Sequence, residues 1–202
     1  GTLWLAFVTV LFGTILGTLV ALFRLSRCKV FQALTGAYIE VLRGTPILLQ
    51  LYFFWLLLPK VLPFKVSDTA CIIVALVINS SSYVAEVIRA GIQAVDKGQM
   101  EAAKSLGLSN KNAMRYVILP QAVKNILPTL GNEFIALIKE TSVVSFVGAA
   151  DLYVAFNYIG SNSYEFMVPY LVMAAIYIVL VLVISILVKL MERSLKKSDR
   201  RH

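Results

Sequence analysis

Long apolar runs alternate with short polar ones along most of this chain. No charged side chain occurs between Thr2 and Phe23, and the run ends at Arg24. At 1.5 Å rise per residue such a stretch covers the ~30 Å hydrocarbon core of a bilayer. A membrane span is predicted here rather than a signal peptide, whose apolar part is only about 7–15 residues. The chain opens on Gly instead of Met, so further residues are expected before it. A second apolar run, Ala37 to Leu58, is interrupted by Arg43-Gly44-Thr45-Pro46. Pro46 has no backbone N–H to donate, which predicts a kink or a restart of the helix there. The third run extends from Thr69 to about Ala90, with Asp68 placed to cap it. The stretch 91–124 is too charged to sit in lipid. Apolar character then returns from Ile126 to Gly148, diluted by Glu133, Lys139 and Glu140, and again, uncharged, from Met167 to Val188. The pattern predicts an all-α polytopic membrane protein. It forms a single domain, 1–202, with five transmembrane helices at about 2–23, 37–58, 69–90, 126–148 and 167–188.

Composition agrees. Of the 202 residues, 59% are hydrophobic and 15% charged, with a mean hydropathy of +0.81. Soluble domains have about 45–50% apolar and about 25% charged residues. The balance excludes an ordinary soluble enzyme, a disordered chain and a disulfide scaffold. The net charge of +8 would suggest nucleic acid in a soluble protein, but in a membrane protein it reports which loops face the cytoplasm, and no nucleic acid partner is expected. Fifteen of the 19 basic residues follow the first, third and fifth runs. The positive-inside rule therefore predicts an N-terminus outside and a C-terminus in the cytoplasm, in the plasma (inner) membrane. The basic tail after Val188 reads as an orientation signal, with recognition of anionic lipid as the alternative. Cys28 and Cys71 have no paired spacing, so two free thiols and no metal site are expected. His202, the single histidine, is assigned no chemistry.

The polar stretch contains Glu101-Ala102-Ala103-Lys104-Ser105-Leu106-Gly107 and, nine residues further on, Val117-Ile118-Leu119-Pro120. Glu101 to Leu106 are helix formers, and Gly107 supplies a C-terminal stop. Ala102 and Ala103 are expected to offer a smooth face to a partner's groove. Asn110 is placed to cap a second helix ending before Pro120. This spaced pattern resembles the signature loop of the membrane subunits of ATP-binding-cassette importers, with Val117 where the pattern has Ile. Glu40-x-x-Arg43-Gly44-Thr45-Pro46, Tyr83-x-x-Glu86-x-x-Arg89-x-Gly91 and Lys139-Glu140-Thr141-Ser142 extend the likeness over nearly the whole chain, to the histidine/glutamine-type polar amino acid permeases. The resemblance implies the type I importer fold, with a cytoplasmic coupling helix between the third and fourth spans. It implies a pair of permease subunits (identical or paralogous), two ATP-binding-cassette ATPase subunits and an extracytoplasmic solute-binding protein. Glu101, Ala102, Ala103, Lys104, Ser105, Leu106 and Gly107 would then contact the ATPase. The chain has no Gly-x-x-x-x-Gly-Lys-Ser/Thr loop, so no enzyme activity and no cofactor are expected in it, and ATP with magnesium would be held by the partner subunit.

Polar groups at membrane depth are costly and mark candidate function. Asn79, Ser80, Ser82 and Tyr83 lie near the middle of the third run, with Glu86 one turn beyond. They read as pathway lining, although each serine alone suits helix packing equally well. Glu86 shares a face with Arg89, and a structural ion pair is its alternative reading. Glu40 and Arg43 repeat that spacing and are expected to pair, setting the bend at Pro46. Glu140, with Thr141, Ser142 and Asn79, would offer an acid and hydrogen-bond donors to a free amino acid. An interhelical salt bridge is the competing use of Lys139 or Glu140. A buried Glu140 favours a basic amino acid as cargo, and Asp151 and Glu165 would make the outer mouth acidic. The rival classes are an ATP-independent small channel or secondary transporter, which the spaced loop disfavours, and a structural adaptor.

Overall fold

The structure is a computed structural model describing residues 2–147 and 152–199. All its regular elements are helical. They run α1 (Thr2–Arg24), α2 (Lys29–Gly44), α3 (Ile47–Val61), α4 (Asp68–Gln93), α5 (Lys97–Ser105), α6 (Asn110–Ala113), a π-helical turn (Met114–Ile118), α7 (Leu119–Glu140), a 3-10 segment (Thr141–Val147), α8 (Leu152–Ser163) and α9 (Met167–Asp199). Among the described residues, α1, α4 and α9 are long and apolar enough to cross a membrane. Two bent pairs, α2 with α3 and Asn110–Val147 with α8, raise the count to five if each is one span. Gly148, where the fourth span was expected to end, lies outside the described residues, as do Asp151 and His202.

The centre is α4, flanked by α1, α2, α3 and α7. α1 lies against it in parallel, with Gly13 facing Ser80 and Gly17 facing Val84. A Cβ at Gly17 would stand 2.7 Å from Val84 Cβ and 2.8 Å from the Ser81 carbonyl. With no Cβ there, the two backbones approach closely, the usual means of helix association where lipid removes the hydrophobic drive. Gly91 faces Ile126 while Val95 clusters with Ile118, so α7 runs antiparallel to α4. Cys28 is exposed, Cys71 is buried, and both are free thiols.

Several boundaries differ from the sequence reading. The second run takes the second of the two forms expected at Pro46, a restart: α2 ends at Gly44, α3 begins at Ile47, and the two meet at 109°. Thr45 and Pro46 are extended, and the buried Gln50 pins the corner. Its Nε2 donates to the Leu42 carbonyl (2.7 Å) and to Thr45 Oγ1 (2.7 Å), and its Oε1 accepts from Asn79 Nδ2 (2.9 Å). The expected Glu40–Arg43 pair does not form. Glu40 is exposed, and Arg43 lies over the Tyr83 ring, 5.3 Å from its centroid. Ser67, not Asp68, caps α4, accepting from Ala70 N. Asp68 accepts instead from Trp55 Nε1 at 2.8 Å, tying α3 to α4.

Ser109 rather than Asn110 caps α6, and the helix does not stop before Pro120. The π turn leads directly into α7, whose first turn contains Pro120, where a missing N–H costs little. α7 ends at Glu140, and the chain tightens into the 3-10 segment beyond it. α8 has no counterpart in the predicted spans, and α9 continues past Val188 to Asp199. Glu165 spends its carboxylate on the start of α9, accepting from Met167 N (2.8 Å) and Val168 N (3.1 Å). That engagement weakens its contribution to an acidic mouth.

Candidate functional site

Two groups of residues stand out, one on the polar loop and one between α2, α4 and α7. On the loop, Asp96 starts α5 by accepting from Gly98 N at 2.6 Å. At the other end Gly107 N donates to the Lys104 carbonyl (2.9 Å) and Leu108 N to the Ala103 carbonyl (3.1 Å), with Gly107 at φ +85°. This is a Schellman termination, and its left-handed residue favours glycine because a Cβ would clash there.

The two alanines do not share a face, contrary to the reading of a smooth double-alanine surface. Ala103 is buried, whereas Ala102 is exposed together with Glu101, Lys104, Ser105 and Leu106. Adjacent helical positions point about 100° apart, so only one of them can turn outward while the other packs. Leu106, a large apolar side chain, is 84% exposed. Behind α5, Met100 packs on the cluster of Val95, Ile118, Ala122 and Ile126, and Gln121 Nε2 donates to Gln99 Oε1 (3.2 Å) and the Val117 carbonyl (3.0 Å). α5 is thereby fixed to the start of α7 and the end of α4.

At mid-helix depth Asn79, Ser80 and Ser82 are buried in packing rather than aimed into a cavity. Asn79 is committed to Gln50. Ser82 Oγ donates to the Asn79 carbonyl (2.7 Å), and Ser80 fills the space opposite Gly13. Ser81, also buried, bonds the Tyr38 hydroxyl at 2.6 Å, which ties α2 to α4. Thr141 and Ser142 return their hydroxyls to the Ile138 and Lys139 carbonyls (2.7 and 2.8 Å). Glu140 is half-buried, and Lys139 beside it is exposed. The structure therefore does not gather Glu140, Thr141, Ser142 and Asn79 into one ready donor set.

It does place Tyr83 and Glu86 on a common cavity of about 310 Å³, together with Arg43, Asn125, Thr129 and Glu133. Val87, Ala90, Gly91 and Ala94 supply its apolar wall. Glu86 is held by Arg89 in a two-pronged ion pair, Nε to Oε2 at 2.8 Å and Nη2 to Oε1. Arg89 Nη1 donates to Gln93 Oε1 at 2.6 Å. Arg43, Asn125, Thr129 and Glu133 were not in the set drawn from sequence. Glu133 carried a signal, as a carboxylate within a predicted membrane span; the others share the cavity only through folding.

The family described as binding-protein-dependent transport system inner membrane component matches residues 13–197. The arginine transport system permease protein ArtQ of Bacillus subtilis (strain 168) is 40% identical over 98% of this chain and 90% of its own length. A putative glutamine transport system permease protein GlnP of Rickettsia conorii is 38% identical over 96% and 89%. Among solved structures, an amino acid ABC transporter with histidines superimposes with a TM-score of 0.90 at 48% identity, over 96% of this chain and 90% of that one. The inward-facing MetNI methionine ABC transporter superimposes at 0.81 with 20% identity, over 96% and 92%, a likeness of fold.

Proposed function

The chain belongs to the binding-protein-dependent transport inner membrane components, and from that footing we propose that it forms half of the pathway of an ATP-driven importer of basic amino acids. It is a permease subunit, a transport component rather than a catalyst, and its relatives are amino acid ABC permeases. That kinship gives no support to an ATP-independent channel or secondary transporter. The observation that carries the energetic reading is α5, whose exposed Glu101, Ala102, Lys104, Ser105 and Leu106 stand on a base packed to α4 and α7. A short helix so anchored transmits a rigid-body push to the spans it joins. Two copies, or this chain and a paralogue, would pair with two ATPase subunits holding ATP and magnesium, and a solute-binding protein would deliver cargo from outside. Closure of the ATPases would draw the two α5 helices together and open the cavity outward; hydrolysis would return it inward. Tyr83, Glu86, Glu140, Thr141 and Ser142 are the residues of this chain offered to the pathway, with Asn79, Ser80 and Ser82 supporting it through packing. Co-purification with a P-loop ATPase, followed by reconstitution, tests the whole reading: hydrolysis is expected to rise with binding protein and cargo, and uptake to follow it. Uptake that proceeds without ATP would overturn it.

The charge bias supports an orientation with α5 and the C-terminus in the cytoplasm and the N-terminus outside. Cys28 is exposed between Arg27 and Lys29. A membrane-impermeant maleimide is expected to label it in inside-out vesicles and to leave it unlabelled in intact cells. Labelling from outside would reverse the orientation.

A further inference from the structure

The elbow between α1 and α2 carries a feature that neither the coupling reading nor the cargo reading uses. The 23 residues of α1 rise about 34 Å, slightly more than the ~30 Å hydrocarbon core. Arg24, its last residue, therefore stands at the boundary with the headgroups. The chain turns there, and α2 starts back at Lys29. Arg24 Nη1 donates to the Gln32 carbonyl (2.5 Å), and Gln32 Nε2 to the Ser26 carbonyl (2.7 Å). These bonds fix the turn and leave Arg27 and Lys29 exposed on it. Among the described residues neither forms an ion pair, and no Asp or Glu occurs before Glu40.

The surface beside the turn is apolar. Phe23 and Phe31 meet across it, with ring centroids 5.1 Å apart, and both are half-exposed. Ile15, Leu19 and Leu22 are exposed as well and share one side of α1 by their i, i+4, i+7 spacing. At mid-helix this stripe runs into an apolar groove of about 340 Å³, lined by Thr14, Ile15 and Phe134 among others. From Ile15 to Phe23 the stripe rises about 12 Å, close to the hydrocarbon depth of one leaflet. The stripe suits hydrocarbon, and the two cations suit the wet layer just beyond it. A phospholipid has the same layout, an acyl chain below and a phosphate above. A zwitterionic headgroup brings its own ammonium toward these cations, whereas an anionic headgroup brings none.

We propose that the α1–α2 elbow binds an anionic phospholipid of the leaflet that holds it. Arg27 and Lys29 take the headgroup phosphate, and Ile15, Leu19 and Phe23 take an acyl chain. Arg24, engaged with Gln32, serves the turn rather than the lipid. A turn fixed in this way offers both cations without the ordering cost of a loose loop. Each cation beside an anionic headgroup favours it by about fivefold. The site needs only that α1 spans the membrane, so it stands apart from the coupling and cargo readings.

The permease is labelled with a bimane maleimide at the exposed Cys28, assembled with its ATPase partner and placed in phosphatidylcholine nanodiscs. A minor share of the lipid carries brominated acyl chains, on either phosphatidylglycerol or phosphatidylcholine. Half-maximal quenching in the wild type is expected at about fivefold less brominated phosphatidylglycerol than brominated phosphatidylcholine, or lower still. Arg27→Gln with Lys29→Gln should erase that difference, whereas Arg27→Lys keeps the charge and should keep the preference. Each single Gln variant should retain part of it, and these decide the matter if the double variant does not assemble. Lys60→Gln with Lys65→Gln, beyond α3, should leave the preference in place. Equal quenching by the two lipids in the wild type overturns the site, as does a preference that survives in the double variant. Quenching by neither lipid, restored when the ATPase is omitted, would mean that a protein covers the elbow, and overturns it as well.

Discussion

Gly107→Val and Glu101→Lys are each expected to cut transport per ATP hydrolysed by about tenfold or more, within the range of site-to-site coupling energies of about 1–3 kcal/mol. At φ +85° a β-branched residue is strained by about 1–3 kcal/mol. The simplest relief is to unwind the turn that Leu108 N closes on the Ala103 carbonyl. Ala103 is the buried side of α5, so loosening it releases the helix from the base formed by Val95, Ile118 and Ala122, on which Met100 of α5 packs. Glu101→Lys acts on the other face. It leaves the fold alone, reverses an exposed charge, and sets a second cation three residues from Lys104, a repulsive spacing on a helix. One variant therefore damages the lever and the other its contact. Reconstituted complexes should show ATP hydrolysis that no longer responds to binding protein and cargo, with α4 and α7 still folded by circular dichroism. Normal stimulated transport in both variants would remove α5 from the coupling path.

What could be read from the chain beforehand follows from which interactions are local. The uncharged runs of α1 and α9 needed only composition and length. The stop at Gly107 needed only a residue that tolerates positive φ. The bend at Pro46 was half legible: a proline shows where a helix loses an N–H, but not which way the next helix leaves. That direction is set by Gln50, which reaches back to Leu42 and across to Asn79, a contact between residues 29 apart in sequence. The same limit explains the two i, i+3 ion pairs. Glu86 and Arg89 met as their spacing predicts, while Arg43, with identical spacing from Glu40, was drawn to the Tyr83 ring on another helix. The serines of α4 read as polar and therefore functional, but Gly13 and Gly17 on α1 turn that surface into a packing seam. Pro120 read as a stop because its ring conflicts with a regular α-turn. The π turn ahead of it accommodates that conflict, and no local propensity announces such a turn.

Glu140→Gln is expected to lower import of arginine by about tenfold or more and to leave import of glutamine, if any, nearly unchanged. Glu140 is half-buried at the end of α7, while Lys139, its nearest basic neighbour in sequence, is exposed on a different face. A carboxylate withdrawn from water without a committed cation loses solvation that only an incoming positive group restores. Glutamine has no such group on its side chain; arginine, lysine and histidinium do. A diffuse acidic field at the mouth is the weaker cause of selectivity. Glu165 is engaged by the N–H groups of α9, Lys60 and Lys65 on the segment around α3's end are basic, and salt screens exposed charges beyond about 8–10 Å. Selectivity for positive cargo should therefore fall little between low and high ionic strength in the wild type, and collapse with the single amide substitution. Competition uptake in proteoliposomes measures both. Acidic amino acids competing best, or an unaltered rate of arginine import by Glu140→Gln, would take the substrate cation away from Glu140 and leave selectivity to the binding protein.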